Sequence, residues 1–382
     1  MAALGRLGRC CKSLLHDSPK GLLCDLRKLG RLDRIIRPKR NLLSEDVVKL
    51  QDFQQRKLSV AHLITGPNGN YVEVFHDKLQ RNELILKDEL RLLLHVCQSL
   101  DDMVIARNAI HRYHTENKTF AFGEFKFGPL FMRLCYEMGL EEMAAATIID
   151  KNLRGFFSDA TSFNIAADML FTKGCYENAL KILRDMKSQG VPFNKDTYML
   201  AFGTCYKLNT PESFMTCTTL IEEGQAKGHA ISRHAYCFAV ALALRQNDTE
   251  KAQSLFSQIL NTDSRLCQNL KVFMLAMSGA VTDAFPVLSS AMSPKTPPFV
   301  KKLEFAQEVI ELLRLRSEDG PHMLRVEQMV SALQKSGQVT QRSLDDMLCH
   351  TPPGKRKSLS IVEDRRVSRR TLRPLQSTLL SE

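Results

Sequence analysis

Apolar residues in this chain fall at helical spacing, and the helices they predict come in pairs. Between residues 162 and 190, Phe163, Ala166, Ala167, Leu170 and Phe171 recur at helical intervals, and Lys173 and Gly174 interrupt them. Ala179, Ile182, Leu183 and Met186 then mark the apolar face of a second helix. Gly190 follows the last apolar position, where a left-handed glycine can satisfy a helix's final carbonyls. Asp159 or Thr161 is placed to cap the first helix. Two antiparallel helices joined by a short turn need one position of close backbone approach, and the small side chain of Ala179 supplies it.

This pair recurs. Ala109, Ala144 and Ala179 are 35 residues apart, and Gly139 with Gly174, Gly155 with Gly190, and Tyr136, Phe171 and Tyr206 keep the same interval. The next unit begins at Asp196, Thr197 and Tyr198. Another begins at Tyr236 with Ala252, Leu255, Phe256 and Ile259, displaced by a three-residue insertion placed between Gly224 and His229. Residues 86–114 fit the frame through Ala109 and Tyr113, and residues 265–292 form a degenerate hairpin. A fixed period in the thirties predicts an all-α solenoid of antiparallel helix pairs, each burying its face against its neighbours. The expected organisation is an N-terminal helical segment at 41–85 and a repeat array at 86–292. Extra C-terminal helices at 322–335 and 340–349 follow within 293–349, after Pro294, Pro297 and Pro298, and residues 350–382 form a basic, disordered tail.

The succession of Ser162-Phe163-Asn164, Lys173-Gly174, Ala179-Leu180 with Leu183 and Met186, and a terminal Gly190 resembles a pentatricopeptide repeat. Stretches such as KLQDFQQRK at 49–57, NELILKDEL at 82–90, FKFGPLFMRLCYE at 125–137 and RGFFSDATSFN at 154–164 are similar to mitochondrial members of that family. The resemblance implies a right-handed superhelical, tetratricopeptide-like solenoid that binds RNA and acts in mitochondrial RNA maturation, thereby supporting the respiratory chain. It further implies that each repeat reads one base through a polar residue on its first helix and another at its end. Those places fall on Asn164 and Asn194, with Lys126, Thr161 and Asp196 at the positions that pack on a base. Pro129 and Met199, at the equivalent first-helix positions, cannot hydrogen-bond a base edge, so the reading is expected to be weakly sequence-coded. The alternative is that Asn164 and Asn194 cap helices or turns.

Charge qualifies the RNA reading. The chain carries +11 overall, but eleven basic against three acidic residues in 1–40 contribute +8, and 350–382 contribute +5, which leaves 41–349 at −2. An arginine-rich, acid-poor start of this kind resembles a mitochondrial transit peptide and points to the matrix; the other reading is a basic nucleic-acid arm. A near-neutral body must concentrate its cations on one face or use the tail to hold phosphates, with Lys355, Arg356, Lys357, Arg369 and Arg370 as the tail candidates.

Other chemistry is sparse. The eleven cysteines contain no C-x-x-C, and Cys97, Cys135 and Cys205 sit on apolar helical faces, so disulfides and zinc are not expected. Neither His111 with His114 nor His229 with His234 has further ligands to complete a metal site. The adjacent acids at 101–102, 141–142 and 345–346 diverge on a helix, and there is no phosphate loop or nucleophile elbow. The expectation is a non-enzymatic binder without cofactor, acting beside a separate nuclease. The competing class is a protein-binding scaffold of a mitochondrial complex. No apolar run reaches the ~20 residues of a membrane span, and AYCFAVALAL at 235–244 reads as a buried first helix.

Overall fold

The computed structural model describes residues 41–64, 71–117, 126–292, 302–318 and 320–351. The leader at 1–40, the prolines at 294, 297 and 298 and the tail cations from Lys355 to Arg370 lie outside the described residues. Among the described residues three helices come first: α1 (Glu45–Val48), α2 (Leu50–Ile64) and α3 (Tyr71–Gln80). Seven helix pairs follow among the described residues. They are α4 (Lys87–Val96) with α5 (Leu100–Glu116), α6 (Gly128–Met138) with α7 (Glu141–Ile148), α8 (Ala160–Lys173) with α9 (Tyr176–Ser188), and α10 (Lys195–Leu208) with α11 (Pro211–Ala226). Then come α12 (Arg233–Arg245) with α13 (Thr249–Ser257), α14 (Arg265–Met277) with α15 (Val281–Met292), and α16 (Gln307–Ser317) with α17 (Met323–Lys335). First helices pack side by side from α4 to α16, and each second helix packs on its own first helix.

Local chemistry sets the boundaries. Asp159 caps α8 by accepting the Ser162 amide at 2.9 Å, and Gly174 ends it at φ +88°. Ala179 is fully buried where α9 crosses α8. The three-residue insertion is absorbed as helix: α11 has 16 residues where α9 has 13. Gly224 makes room there, since a Cβ would come within 2.8 Å of the Tyr198 hydroxyl.

The C-terminal region differs from the expectation. Residues 307–317 form a helix that the apolar spacing did not single out, and α16 stacks on α14 as another first helix. Instead of a helix over 340–349, Val339 and Thr340 pair in parallel with Phe305 and Ala306, and only α18 (Leu344–Leu348) is helical. The reason is local: Ser343 is the cap, accepting the Asp346 amide at 3.1 Å while Asp346 reaches back to the Ser343 amide, so the helix cannot begin upstream.

First helices in the centre of the array are buried all round. Residues 162–171 of α8, 197–206 of α10 and 237–244 of α12 are buried without a break. Second helices cover one side. The other side is covered by the two ends of the described residues: α1 packs on α8, Leu42 meets Gly203 and joins the cluster around Phe202 and Phe238, and α18 packs on α12 and α14. Replacing Ala179 by Arg places a long cation at the α8–α9 crossing and should cost roughly 3 kcal/mol or more of stability. Urea denaturation checks this, and an unchanged midpoint would contradict the packing.

Candidate nucleic-acid interface

Asn164 and Asn194, predicted to read a base together, do come together, but on each other. Asn164 is fully buried; its Nδ2 donates to Asn194 Oδ1 at 3.2 Å, and its Oδ1 accepts from Thr197 Oγ1 at 2.9 Å. Asn194 is the cap of α10, its Oδ1 accepting the Asp196 and Thr197 amides at 3.0 and 2.9 Å. The capping alternative describes Asn194 alone; Asn164 lies inside α8, caps no helix, and spends its amide on Asn194 and Thr197. Asn269 occupies the same place on α14, five residues past its cap, and does the same work. It donates to Glu304 O at 2.9 Å and accepts the Ala306 amide at 2.7 Å, holding the start of α16. Both asparagines are inter-repeat staples.

Of the predicted base-packing positions, Lys126 is exposed, while Thr161 and Asp196 are half-buried at the capped ends of α8 and α10. Burial pushes the Asp196 carboxyl up against the opposing effect of Lys195. Pro129 is half-buried and Met199 is buried.

The broad faces of the first helices are closed, and charged contacts fix the lid at its C-terminal side. Asp345 lies 2.7 Å from the Lys207 ammonium and 3.7 Å from the Arg245 guanidinium, which stacks over the Tyr206 ring at 3.9 Å. Burial pushes the Asp345 carboxyl up, yet Lys207 and Arg245 more than offset it and hold the group below the usual carboxylate range. His234 Nε2 donates to Leu348 O at 2.6 Å, and burial holds that imidazole below its ordinary value. Thr351 Oγ1 donates to Asn41 O at 2.7 Å, so the two ends of the described chain meet over the first helices.

The junction between α12 and α14 is open at the edge formed by the capped ends of the first helices. A cavity of about 760 Å³ lies between α12 and α14, lined by Arg233, His234, Tyr236, Gln258, Asn261 and Arg265 among others. No acidic residue lines it among the described residues. Cys237 stands five residues past the Ser232 cap, where Asn164 and Met199 stand in earlier pairs, and its sulfur meets that of Cys267 at 3.6 Å, with the cavity open beside this contact. Arg233 is exposed at the start of α12, and Arg265 is tied to Glu304 at 2.9 Å. Sequence reasoning did not single out this site. The available signal was the pair of arginines directly after the caps Ser232 and Ser264. The paired histidines have structural partners, His111 with Asp150 at 3.3 Å and His229 with Tyr198 at 2.8 Å. No group able to hold a metal occurs among the described residues, and none of their helices is long and apolar enough to cross a membrane.

Stacked helix pairs with capped, parallel first helices define an α-solenoid of the helical-repeat class. The chain is 55% identical over 345 residues to pentatricopeptide repeat-containing protein 2, mitochondrial, of Danio rerio, covering 90% of both chains. It is 50% identical to the Homo sapiens protein of the same name over 90% of this chain and 89% of that one. For the Xenopus laevis protein of that name the identity is 46% over 347 residues. The chain therefore belongs to the family of pentatricopeptide repeat-containing protein 2, whose members are named as mitochondrial. No family model matches it. The crystal structure of the pentatricopeptide repeat protein PPR10 from maize aligns at 16% identity and a TM-score of 0.33, covering 76% of this chain and about half (49%) of that one.

Replacing Asp345 by Ala leaves Lys207 and Arg245, whose side chains are 18% and 11% exposed, without their acid. About 1–3 kcal/mol of stability should be lost, less than for a fully buried pair because Asp345 is partly solvated. Because the folded Asp345 carboxyl is depressed, its contribution is present above the ordinary carboxylate range and disappears as pH falls through the depressed value. Melting curves at pH 7 and below pH 4 test both points; an equal loss at the two pH values would refute the ion-pair account.

Proposed function

We propose that the protein is a non-enzymatic RNA-binding helical-repeat protein of the mitochondrial matrix. It holds single-stranded segments of transcripts during mRNA maturation, a separate nuclease cuts them, and the respiratory chain depends on the outcome. The observation that carries this reading is the open junction between α12 and α14. Arg233 and Arg265 stand beside it for phosphates, the Tyr236 ring offers a stacking surface, and Gln258 and Asn261 offer base-edge donors and acceptors. Lys126 and Thr161 extend this edge towards the N-terminal repeats, Asn194 lies between them and the cavity, and the tail cations at Lys355, Arg356, Lys357, Arg369 and Arg370 supplement a body of charge −2. Family membership and the basic leader support the location.

A second reading, a protein-binding scaffold, is favoured by a different feature. A cavity of about 310 Å³ between α9 and α11 is lined by Leu180, Leu183, Phe193, Met215 and Leu220, with Met215 exposed. Such a cleft suits an apolar anchor of a partner helix.

Binding of a fluorescent single-stranded RNA should weaken at least about tenfold, or ~1.4 kcal/mol, when Arg233→Glu and Tyr236→Ala are combined. Unchanged affinity in the double variant would remove the junction from the RNA site. Deleting 354–382 should flatten the dependence of affinity on salt, and an unaltered slope would eliminate the tail as an RNA arm. Ultraviolet crosslinking in intact mitochondria separates the two readings: RNA enriched at one transcript junction supports the first, and a stoichiometric protein partner with background RNA supports the second.

A further inference from the structure

Asp168 is the one charged residue in the unbroken buried stretch 162–171 of α8. Its Oδ1 accepts the Leu42 amide at 2.7 Å and the Leu43 amide at 3.3 Å. Its Oδ2 is buried with no hydrogen-bond partner, and no cationic side chain pairs with it among the described residues. Desolvation pushes this carboxyl up to about 7 against the two amides. A buried carboxylate with one bare oxygen is costly unless a cation joins it. The nearest part of the chain able to become one is the backbone nitrogen at Asn41 or Leu42, because the amides of Leu42 and Leu43 are already at the carboxylate. Asn41 is itself held in place. Its side chain bonds the Tyr136 hydroxyl and accepts from Thr172 Oγ1 at 2.7 Å, and its carbonyl accepts from Thr351. Directly upstream is Arg40, the last base of the leader.

We propose that Asp168 is the socket for a new amino terminus: hydrolysis on either side of Asn41 by a processing endopeptidase creates an α-ammonium that pairs with this carboxylate. Water breaks the peptide C–N bond, its hydroxyl going to the leader's acyl carbon and its proton to the departing nitrogen. That amine takes a second proton from solvent and becomes the cation the socket lacks. Processing then adds an ion pair to the contacts that already hold residues 42–48 on α8 and α10, so removal of the leader tightens a first-helix face that is closed before it. The proposal rests on the mitochondrial reading above.

The other titratable group near the carboxyl is Tyr136 on α6, itself pushed up to about 12 by burial and by Asp168, with Glu45 on α1 acting on Tyr136 in the same direction. The sign of the pH effect follows. With no cation in the socket, the raised carboxyl gives stability that is lost as pH rises from the ordinary carboxylate range through about 7. With the α-ammonium paired, Asp168 stays charged and that loss disappears.

The test uses the chain starting at Asn41 or at Leu42, each with a free amine and each N-acetylated, together with Asp168→Asn in each form. At pH 7.5 at least one free-amine chain should melt about 3 °C or more above its acetylated counterpart, and Asp168→Asn should abolish that difference. Equal midpoints in both acetylated and free-amine pairs would overturn the proposal. In parallel, the full chain is imported into isolated mitochondria and its amino terminus mapped by mass spectrometry. A terminus at 41 or 42 supports the proposal, and one elsewhere overturns it. Failure of import counts against the mitochondrial reading, while the melting comparison still decides whether the socket accepts an amine.

Discussion

Each central first helix must bury two opposite faces, and the rest of the architecture answers to that requirement. A helix apolar all round is stable only when covered on every side. Second helices cover one side of α8, α10, α12 and α14, and repeat stacking covers the flanks. The remaining face is closed by segments flanking the array, through Leu42 and Leu43 on one side and Leu344 and Leu348 on the other, all nearly fully buried. Each such side chain contributes about 1.5–3 kcal/mol on leaving water. Closure is therefore part of the fold's stability and not an accessory to it.

Closure of that face explains the role of the polar residues inside the array. A polar atom enclosed between stacked repeats has to find its partner within the protein. Asn164 finds it in the cap of α10, Asn269 in the backbone leading into α16, and Asp345 in Lys207 and Arg245. All of these join segments 30 or more residues apart in sequence, so they fix the stagger between neighbouring repeats, which apolar packing alone does not specify.

Much of the array was legible because helix pairs write their boundaries locally. The 35-residue register, the caps at Asp159 and Asn194 and the breaks at Gly174 and Gly190 depend on residues within one turn of each other. The C-terminal pair was harder to read because α16 has no comparable cap, its position being set by Asn269 and by pairing of Phe305 with Val339. The site was less legible still. Asn164 has the residue type expected of a base reader, yet its use was decided by Thr197, a residue 33 positions away that takes the same oxygen. The covering of the first helices left a trace in the sequence: residues 197–206 and 235–244 lack the polar stripe that an open groove requires. Asp168 left another, as the one charged residue between Phe163 and Phe171.

With the broad face of the first helices filled, the proposed RNA reading falls on the capped helix ends, where successive junctions place different side chains at the same register. At α8 to α10 the junction is joined by an asparagine staple, and at α12 to α14 by a Cys237–Cys267 contact with about 760 Å³ open beside it, next to Arg233 and Arg265. One open junction gives little sequence discrimination, since a single stacked base contributes only about 1–3 kcal/mol. On the proposed RNA reading, selectivity for one transcript would have to arise from RNA shape, from the tail, or from a partner seated beside the solenoid. The near-neutral charge of residues 41–349 is consistent with that division, because a protein that does not track a long phosphate backbone has no need of a long basic face.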